Sequence, residues 1–102
     1  MSPRVLVVDG SLTVRMDLCE AFQAAGLEAV PCADAAAARL ALDSRPFALA
    51  VIDVRLPDGG VVELLARIRS DPATRAVGNG AELEPDGSLG RAKGSVGRRR
   101  RQ

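Results

Sequence analysis

Several residue types that carry chemistry in other proteins are rare or missing in this chain of 102 residues. It has no His, Trp or Tyr and only two Phe, so a core built from its 47% apolar residues consists mainly of Ala, Val, Leu and Ile. The two cysteines, Cys19 and Cys32, show no metal-ligand spacing. We predict that both are small core residues of a protein kept in a reducing cytoplasm.

Long apolar runs are also missing. No run approaches the roughly 18 residues that a membrane span needs, and the N-terminus lacks the apolar segment of a signal peptide. We therefore expect a cytoplasmic protein with no membrane partner. The length is sufficient for one small domain.

Charge and glycine are distributed unevenly. Residues 1–77 hold eight Arg against ten acidic residues, whereas residues 78–102 hold six basic residues, three acidic ones and six glycines. No strand or helix period continues past residue 77, and we predict a domain over 1–77 followed by a disordered Gly/Arg-rich tail over 78–102. The basic run 98–101 has the chemistry to contact nucleic acid or an acidic membrane. Without aromatic stacking residues or a nucleic-acid-binding motif, we expect no nucleic-acid partner.

Two short apolar runs each end at a carboxylate. Val5–Val8 precedes Asp9, and Phe47–Ile52 precedes Asp53. Runs of this length without a polar break are typical of strands buried on both faces of a parallel sheet. A weaker strand over 27–32 contains Pro31, which favours an edge position.

Helical spacing separates the predicted strands. The predicted helices begin at Leu12 after the N-cap Ser11, at Ala35 after the N-cap Asp34, and at Val61; they end near Gly26, Ser44 and Arg69. Alternating strands and helices at these spacings predict right-handed crossovers and a parallel sheet. The expected fold is an α/β, flavodoxin-like three-layer sandwich with strand order 2-1-3.

If the first and third strands are neighbours, Asp9 and Asp53 converge at one edge of the sheet. Ligands bind beyond the carboxyl ends of strands in such sheets. Two close carboxylates repel each other, and a hard cation such as Mg²⁺ removes that repulsion. The pattern therefore predicts an acidic site suited to Mg²⁺, with phosphoryl transfer as one of several possible uses.

The segments Val5–Asp9 and Ala50–Gly59 resemble the receiver domain of two-component response regulators over about residues 3–77. The resemblance implies that Asp53 accepts a phosphoryl group from a histidine kinase or a phosphotransfer protein. It also implies that Mg²⁺ is bound by Asp9, Asp53 and the backbone carbonyl of Arg55, and that the output passes through a downstream protein partner. A receiver of this kind is not an enzyme that turns over a small substrate.

The chain departs from the receiver pattern in two places. Receivers usually carry a second acid where this chain has Gly10, and its loss is expected to weaken Mg²⁺ binding and phosphorylation. Receivers also need a Ser or Thr after a fourth strand and a Lys after a fifth. Neither strand is evident in the sequence, and the single lysine, Lys93, has no strand before it.

A shifted reading frame offers one explanation for the missing strands. Arg codons of the form CGN become GNC codons one base later, so the run 98–101 is able to encode Gly-Ala-Asp-Asp, a sequence typical of receivers before their fifth strand. We hypothesise truncation or a frameshift near Val77; a natural extension is the alternative. Without a fourth strand, the run Phe47–Ile52 is expected to form an exposed sheet edge.

Two other functions stay open. A degenerate receiver that no longer accepts phosphate would act as a protein-docking module, or the chain would be a non-functional fragment. An acidic-site phosphatase or transferase is the third possibility, but Arg55 stands where a phosphatase of the haloacid dehalogenase type has its second aspartate.

Overall fold

The computed structural model describes residues 2–78 of the chain. Four parallel strands and three helices alternate along it: β1 Arg4–Val8, α1 Leu12–Ala24, β2 Glu28–Cys32, α2 Ala35–Ser44, β3 Leu49–Ile52, α3 Val61–Arg69 and β4 Arg75–Gly78. The strand order is β2-β1-β3-β4. The predicted α/β class and the order 2-1-3 are confirmed, and Pro31 does lie in an outer strand.

The sheet separates two apolar layers. Alternate residues of β1 and β3 face opposite sides, because successive side chains of a strand point to opposite faces. On one side, α1 covers the cluster Val5, Val7, Cys19 and Val51. On the other side, α2 and α3 cover a larger cluster whose fully buried members include Leu6, Ala50, Ile52, Leu64 and Ile68. The result is the expected three-layer sandwich.

Local signals set the ends of the helices. The Ser11 side chain accepts a hydrogen bond from the backbone N–H of Val14, and Asp34 does the same for Ala37. These bonds satisfy backbone donors that the first turn of a helix leaves without partners. Gly26 has a φ of 89° and closes α1 in the left-handed conformation.

The prediction that a fourth strand is missing is wrong. Residues Arg75–Gly78 form β4, which pairs in parallel with β3 from Leu49↔Arg75 to Ile52↔Gly78. The Thr74 hydroxyl donates a hydrogen bond to the carbonyl of Phe47 at 2.6 Å and fixes the start of the strand. Because β4 contains only two apolar residues, Ala76 and Val77, its sequence has no strand-like run, and pairing with β3 determines its conformation.

Because β4 is present, the expectation that the third strand forms an exposed edge of the sheet is also wrong. β3 lies between β1 and β4, so its backbone groups are paired on both sides rather than exposed. Gly78, predicted to be the first residue of the tail, is the last residue of β4. The predictions for residues 79–102 lie outside the described residues; they concern the disordered tail with Lys93 and the Arg run, the missing fifth strand and the frameshift.

Candidate functional site

The two acidic residues singled out by their strand-end positions lie at the same edge of the sheet. β1 and β3 are directly paired, and the last pair in register is Val8 with Ile52. Asp9 and Asp53 each follow one member of that pair, and the N–H of Asp53 still donates to the carbonyl of Val8 at 2.8 Å. Since neighbouring strands are about 4.8 Å apart, the two carboxylates start from adjacent backbone positions.

Asp9 lies in a nearly closed environment. Its residue is 4% exposed, its N–H donates to the carbonyl of Cys32 at 3.0 Å, and its Oδ1 accepts a hydrogen bond from the N–H of Ser11 at 2.8 Å. The guanidinium of Arg15 donates to the Asp9 carbonyl, also at 2.8 Å. Burial of a carboxylate is costly unless it is hydrogen-bonded, and the bond from Ser11 reaches the carboxylate itself. The bonds with Cys32 and Arg15 hold the backbone of Asp9 at the end of β1.

Asp53 is more open to solvent than Asp9. Its side chain is 20% exposed, and the Nε of Arg55 lies 3.9 Å from its Oδ1. The same oxygen accepts a hydrogen bond from the N–H of Arg55 at 3.0 Å. An accessible carboxylate oxygen is what a nucleophile toward an incoming phosphoryl group requires.

The oxygen atoms at the carboxyl ends of β1 and β3 are suited to binding a hard divalent cation that takes few ligands from the protein. Two carboxylates from adjacent strands, with the carbonyl of Arg55 two residues after Asp53, provide oxygen ligands of the kind that Mg²⁺ prefers while it retains several waters. Among residues 2–78, no group of three or more His, Cys, Asp or Glu side chains is arranged to hold a metal ion. Gly10, directly after Asp9, supplies no carboxylate.

Asp58, in the loop after Asp53, makes a contact with α2 that the sequence did not predict. Its two carboxylate oxygens accept hydrogen bonds from the N–H groups of Ala35 at 3.2 Å and Ala36 at 3.1 Å. Loss of hydration alone would raise the pKa of Asp58, but backbone hydrogen bonds from Ala35, Ala36, Gly60 and Asp58 itself together outweigh it and lower the pKa. The loop after Asp53 is therefore tied to the first turn of α2.

Both cysteines are buried, as the sequence predicted. Burial and then the negative charge of Asp34 raise the pKa of Cys32 to about 11, and burial also raises the pKa of Cys19. Thiols in this state are protonated at neutral pH and chemically inert. Cys32 contributes to the acidic site through its backbone carbonyl, which accepts a hydrogen bond from the N–H of Asp9, and not through a reactive thiol.

Solved structures of response regulators share this fold. The chain matches the chemotaxis response regulator CheY4 of Vibrio cholerae with a TM-score of 0.71 and 25% identity, covering 84% of this chain and 74% of that one. A response regulator receiver protein of Pseudomonas putida matches with a TM-score of 0.65 and 28% identity, covering 76% and 69% respectively. The regulator TrrA of Thermotoga maritima, in complex with Mg²⁺-BeF, matches with a TM-score of 0.65 and 25% identity, covering 72% of this chain and 65% of that one.

No family model matches the sequence, and no curated protein matches it. The structural likeness nevertheless confirms the resemblance that the motifs indicated: the chain has the receiver-domain fold of two-component response regulators. No helix among residues 2–78 is long and apolar enough to cross a membrane.

Proposed function

We propose that this chain is a phosphoacceptor receiver module of a two-component phosphorelay in the cytoplasm, phosphorylated on Asp53 by a histidine kinase or a phosphotransfer protein. The observation that supports it most strongly is the register of β1 and β3, which sets Asp9 and Asp53 immediately after the paired residues Val8 and Ile52. The modified module would act on a downstream protein partner. It is a stoichiometric acceptor rather than an enzyme.

The residues of the site have distinct roles in this reaction. A carboxylate oxygen of Asp53 attacks the phosphorus of a phosphohistidine, so that an O–P bond forms while the P–N bond breaks. The electron pair of that bond stays on the imidazole nitrogen, which takes up a proton. The N–H of Arg55 holds Oδ1 of Asp53 at 3.0 Å, which limits the orientations of the attacking group.

Asp9, Asp53 and the Arg55 carbonyl would hold the Mg²⁺ ion. When bound, Mg²⁺ neutralises charge between the carboxylates and the phosphoryl oxygens. TrrA, which has the same fold, was solved in complex with Mg²⁺-BeF, and this supports a Mg²⁺ role here. Because Gly10 supplies no carboxylate, we propose that the affinity for Mg²⁺ is lower than in a receiver with two acids at this position.

A degenerate receiver that only docks onto a protein partner is the second candidate. Gly10 favours it, because the described acidic site has two carboxylates rather than three. In this alternative Asp53 takes no phosphoryl group, and the fold alone is recognised.

Treatment of the purified chain with a small-molecule phosphodonor and Mg²⁺ separates the two candidates. The receiver proposal expects a mass gain of one phosphoryl group that requires Mg²⁺ and is absent from Asp53→Asn. Asp43→Asn, which changes an exposed acid of α2, serves as the matched control and should be modified like the wild type. No mass gain in a folded protein at high Mg²⁺ would overturn the phosphoacceptor role and favour the docking module.

A further inference from the structure

Arg15 joins the body of α1 to the segment that carries Asp9. Its guanidinium Nη1 donates a hydrogen bond to the Asp9 carbonyl at 2.8 Å. Its backbone N–H donates to the carbonyl of Ser11 at 2.9 Å. Arg15 is thus hydrogen-bonded to both Asp9 and Ser11, the first and last residues of the segment 9–11.

This segment needs an external restraint because of Gly10. A glycine loses more conformational freedom on ordering than any other residue, and here it directly follows the carboxylate of the site. The Asp9 carbonyl belongs to the Asp9–Gly10 peptide, so the bond from Arg15 fixes the orientation of that peptide. The Ser11 N–H, on the far side of Gly10, then reaches Oδ1 of Asp9 at 2.8 Å.

We propose that Arg15 is a positioning residue for the acidic site: it holds the Asp9–Gly10 peptide and thereby keeps the Asp9 carboxylate at the end of β1, beside the end of β3. Arg15 would act through the main chain of Asp9, to whose carbonyl it donates its hydrogen bond. The inference rests on the proposed function where it concerns Mg²⁺, but the restraint of residues 9–11 stands without the metal.

Charge and positioning act in opposite directions here, which makes the proposal testable. A guanidinium bonded to the main chain of Asp9 repels an incoming cation, so charge alone predicts tighter Mg²⁺ binding once Arg15 is replaced by a neutral residue. Positioning predicts weaker binding, because the Asp9 carboxylate must then be ordered when the metal binds. The sign of the change decides between the two.

The experiment compares Arg15→Met, which keeps the length of the side chain but removes its charge and donors, with Arg75→Met. Arg75 is exposed and is the first residue of β4. It pairs with Leu49, the first residue of β3, so it lies at the amino ends of the strands, opposite the carboxyl ends that carry Asp9 and Asp53. Titration of backbone amide NMR shifts measures the Mg²⁺ dissociation constant of each variant. We expect it to rise about three- to tenfold in Arg15→Met, equivalent to one lost hydrogen bond, and to change less than about twofold in Arg75→Met.

A second measurement, made without metal, keeps the inference separate from the proposed function. Hydrogen exchange of the Ser11 amide should be faster in Arg15→Met than in Arg75→Met, and Arg15→Lys, which retains the charge and an N–H donor, should recover part of the protection. Equal or tighter Mg²⁺ binding by Arg15→Met overturns the proposal, and so does unchanged exchange at Ser11. If even the wild type fails to bind Mg²⁺, the proposed function fails, and exchange at Ser11 alone decides the role of Arg15.

Discussion

The carboxylate of Asp58 accepts a hydrogen bond from the N–H of Ala35, 23 positions earlier in the chain, at 3.2 Å. A second bond from Ala36 completes the contact. The first turn of α2 therefore has two acidic partners, Asp34 of its own cap and Asp58 from the loop that follows β3. Negative charge at this end of a helix is favourable because the helix dipole is positive there.

Replacement of Asp58 by Asn should lower stability in a pH-dependent way. The pKa of Asp58 is lowered from its ordinary value of 3.8 in the folded state, so its charged form stabilises the fold above pH 3.8. That stabilisation is lost as the pH falls below 3.8 through the folded pKa. Urea unfolding followed by far-UV circular dichroism should show a lower free energy of unfolding for Asp58→Asn than for the wild type at neutral pH. This difference should become smaller in acid.

Asp17→Asn is the control for this series, because Asp17 is an exposed residue in the middle of α1. Its unfolding free energy should follow that of the wild type across the pH range. If the difference in unfolding free energy between the wild type and Asp58→Asn stays constant down to the lowest pH, the lowered pKa of Asp58 is not the source of the pH dependence.

The side chain of Thr74 gives a test of the fourth strand. Its hydroxyl is buried and donates to the carbonyl of Phe47, so Thr74→Val removes one hydrogen bond with little change of shape. The expected loss is about 1 kcal/mol, or roughly 4–8 °C in Tm for a domain of this size. Thr13→Val, at an exposed position of α1, should change little; equal losses in both variants would argue against a fixed β4.

The thiol of Cys32 should be unreactive in the native protein. Its pKa of about 11 leaves almost no thiolate at neutral pH. A Cys19→Ala variant isolates it, and its reaction with a chromogenic disulfide should be slow in buffer and fast in urea. Equal rates of reaction with the disulfide in buffer and in urea would show that the Cys32 thiol is not buried. Because the unfolded thiol ionises near 9.0 and the folded one near 11, the free energy of unfolding should also fall as the pH rises between these values.

Introduction of an acid at position 10 should strengthen the proposed metal site. A Cβ atom at Gly10 would lie 3.3 Å from Cδ of Pro57, so the side chain fits once Pro57 shifts by a small amount. Gly10→Asp adds a carboxylate beside Asp9, and we expect a higher Mg²⁺ affinity and faster modification by a phosphodonor. Gly10→Asn, with the same shape and no charge, is the matched control; equal gains in both variants would assign the effect to backbone order rather than to charge.

The parts of the fold that could be predicted from the sequence are those set by interactions between neighbouring residues. The strand ends at Asp9 and Asp53 were evident because each follows an unbroken apolar run, and the ends of α1 were evident from Ser11 and Gly26. These signals need only neighbouring residues. The expected helix over 61–69 is likewise the one observed.

The parts that the sequence did not disclose depend on distant partners. β4 has two apolar residues and takes its conformation from the ladder with β3, a case of tertiary context determining a strand of weak propensity. Asp58 contacts α2 across 23 positions, and no local pattern marks that contact. The bond from Arg15 to Asp9 spans six positions and becomes recognisable only once the turn into α1 is known.

The most direct test of the account identifies the modified residue. After reaction with a small phosphodonor and Mg²⁺, borohydride reduction converts an aspartyl phosphate to homoserine, which peptide mass spectrometry locates. The account predicts homoserine at position 53 alone, with the yield reduced in Asp9→Asn because the metal-side carboxylate is lost. Modification at any other aspartate, or none at position 53 in a folded and Mg²⁺-saturated protein, would contradict it.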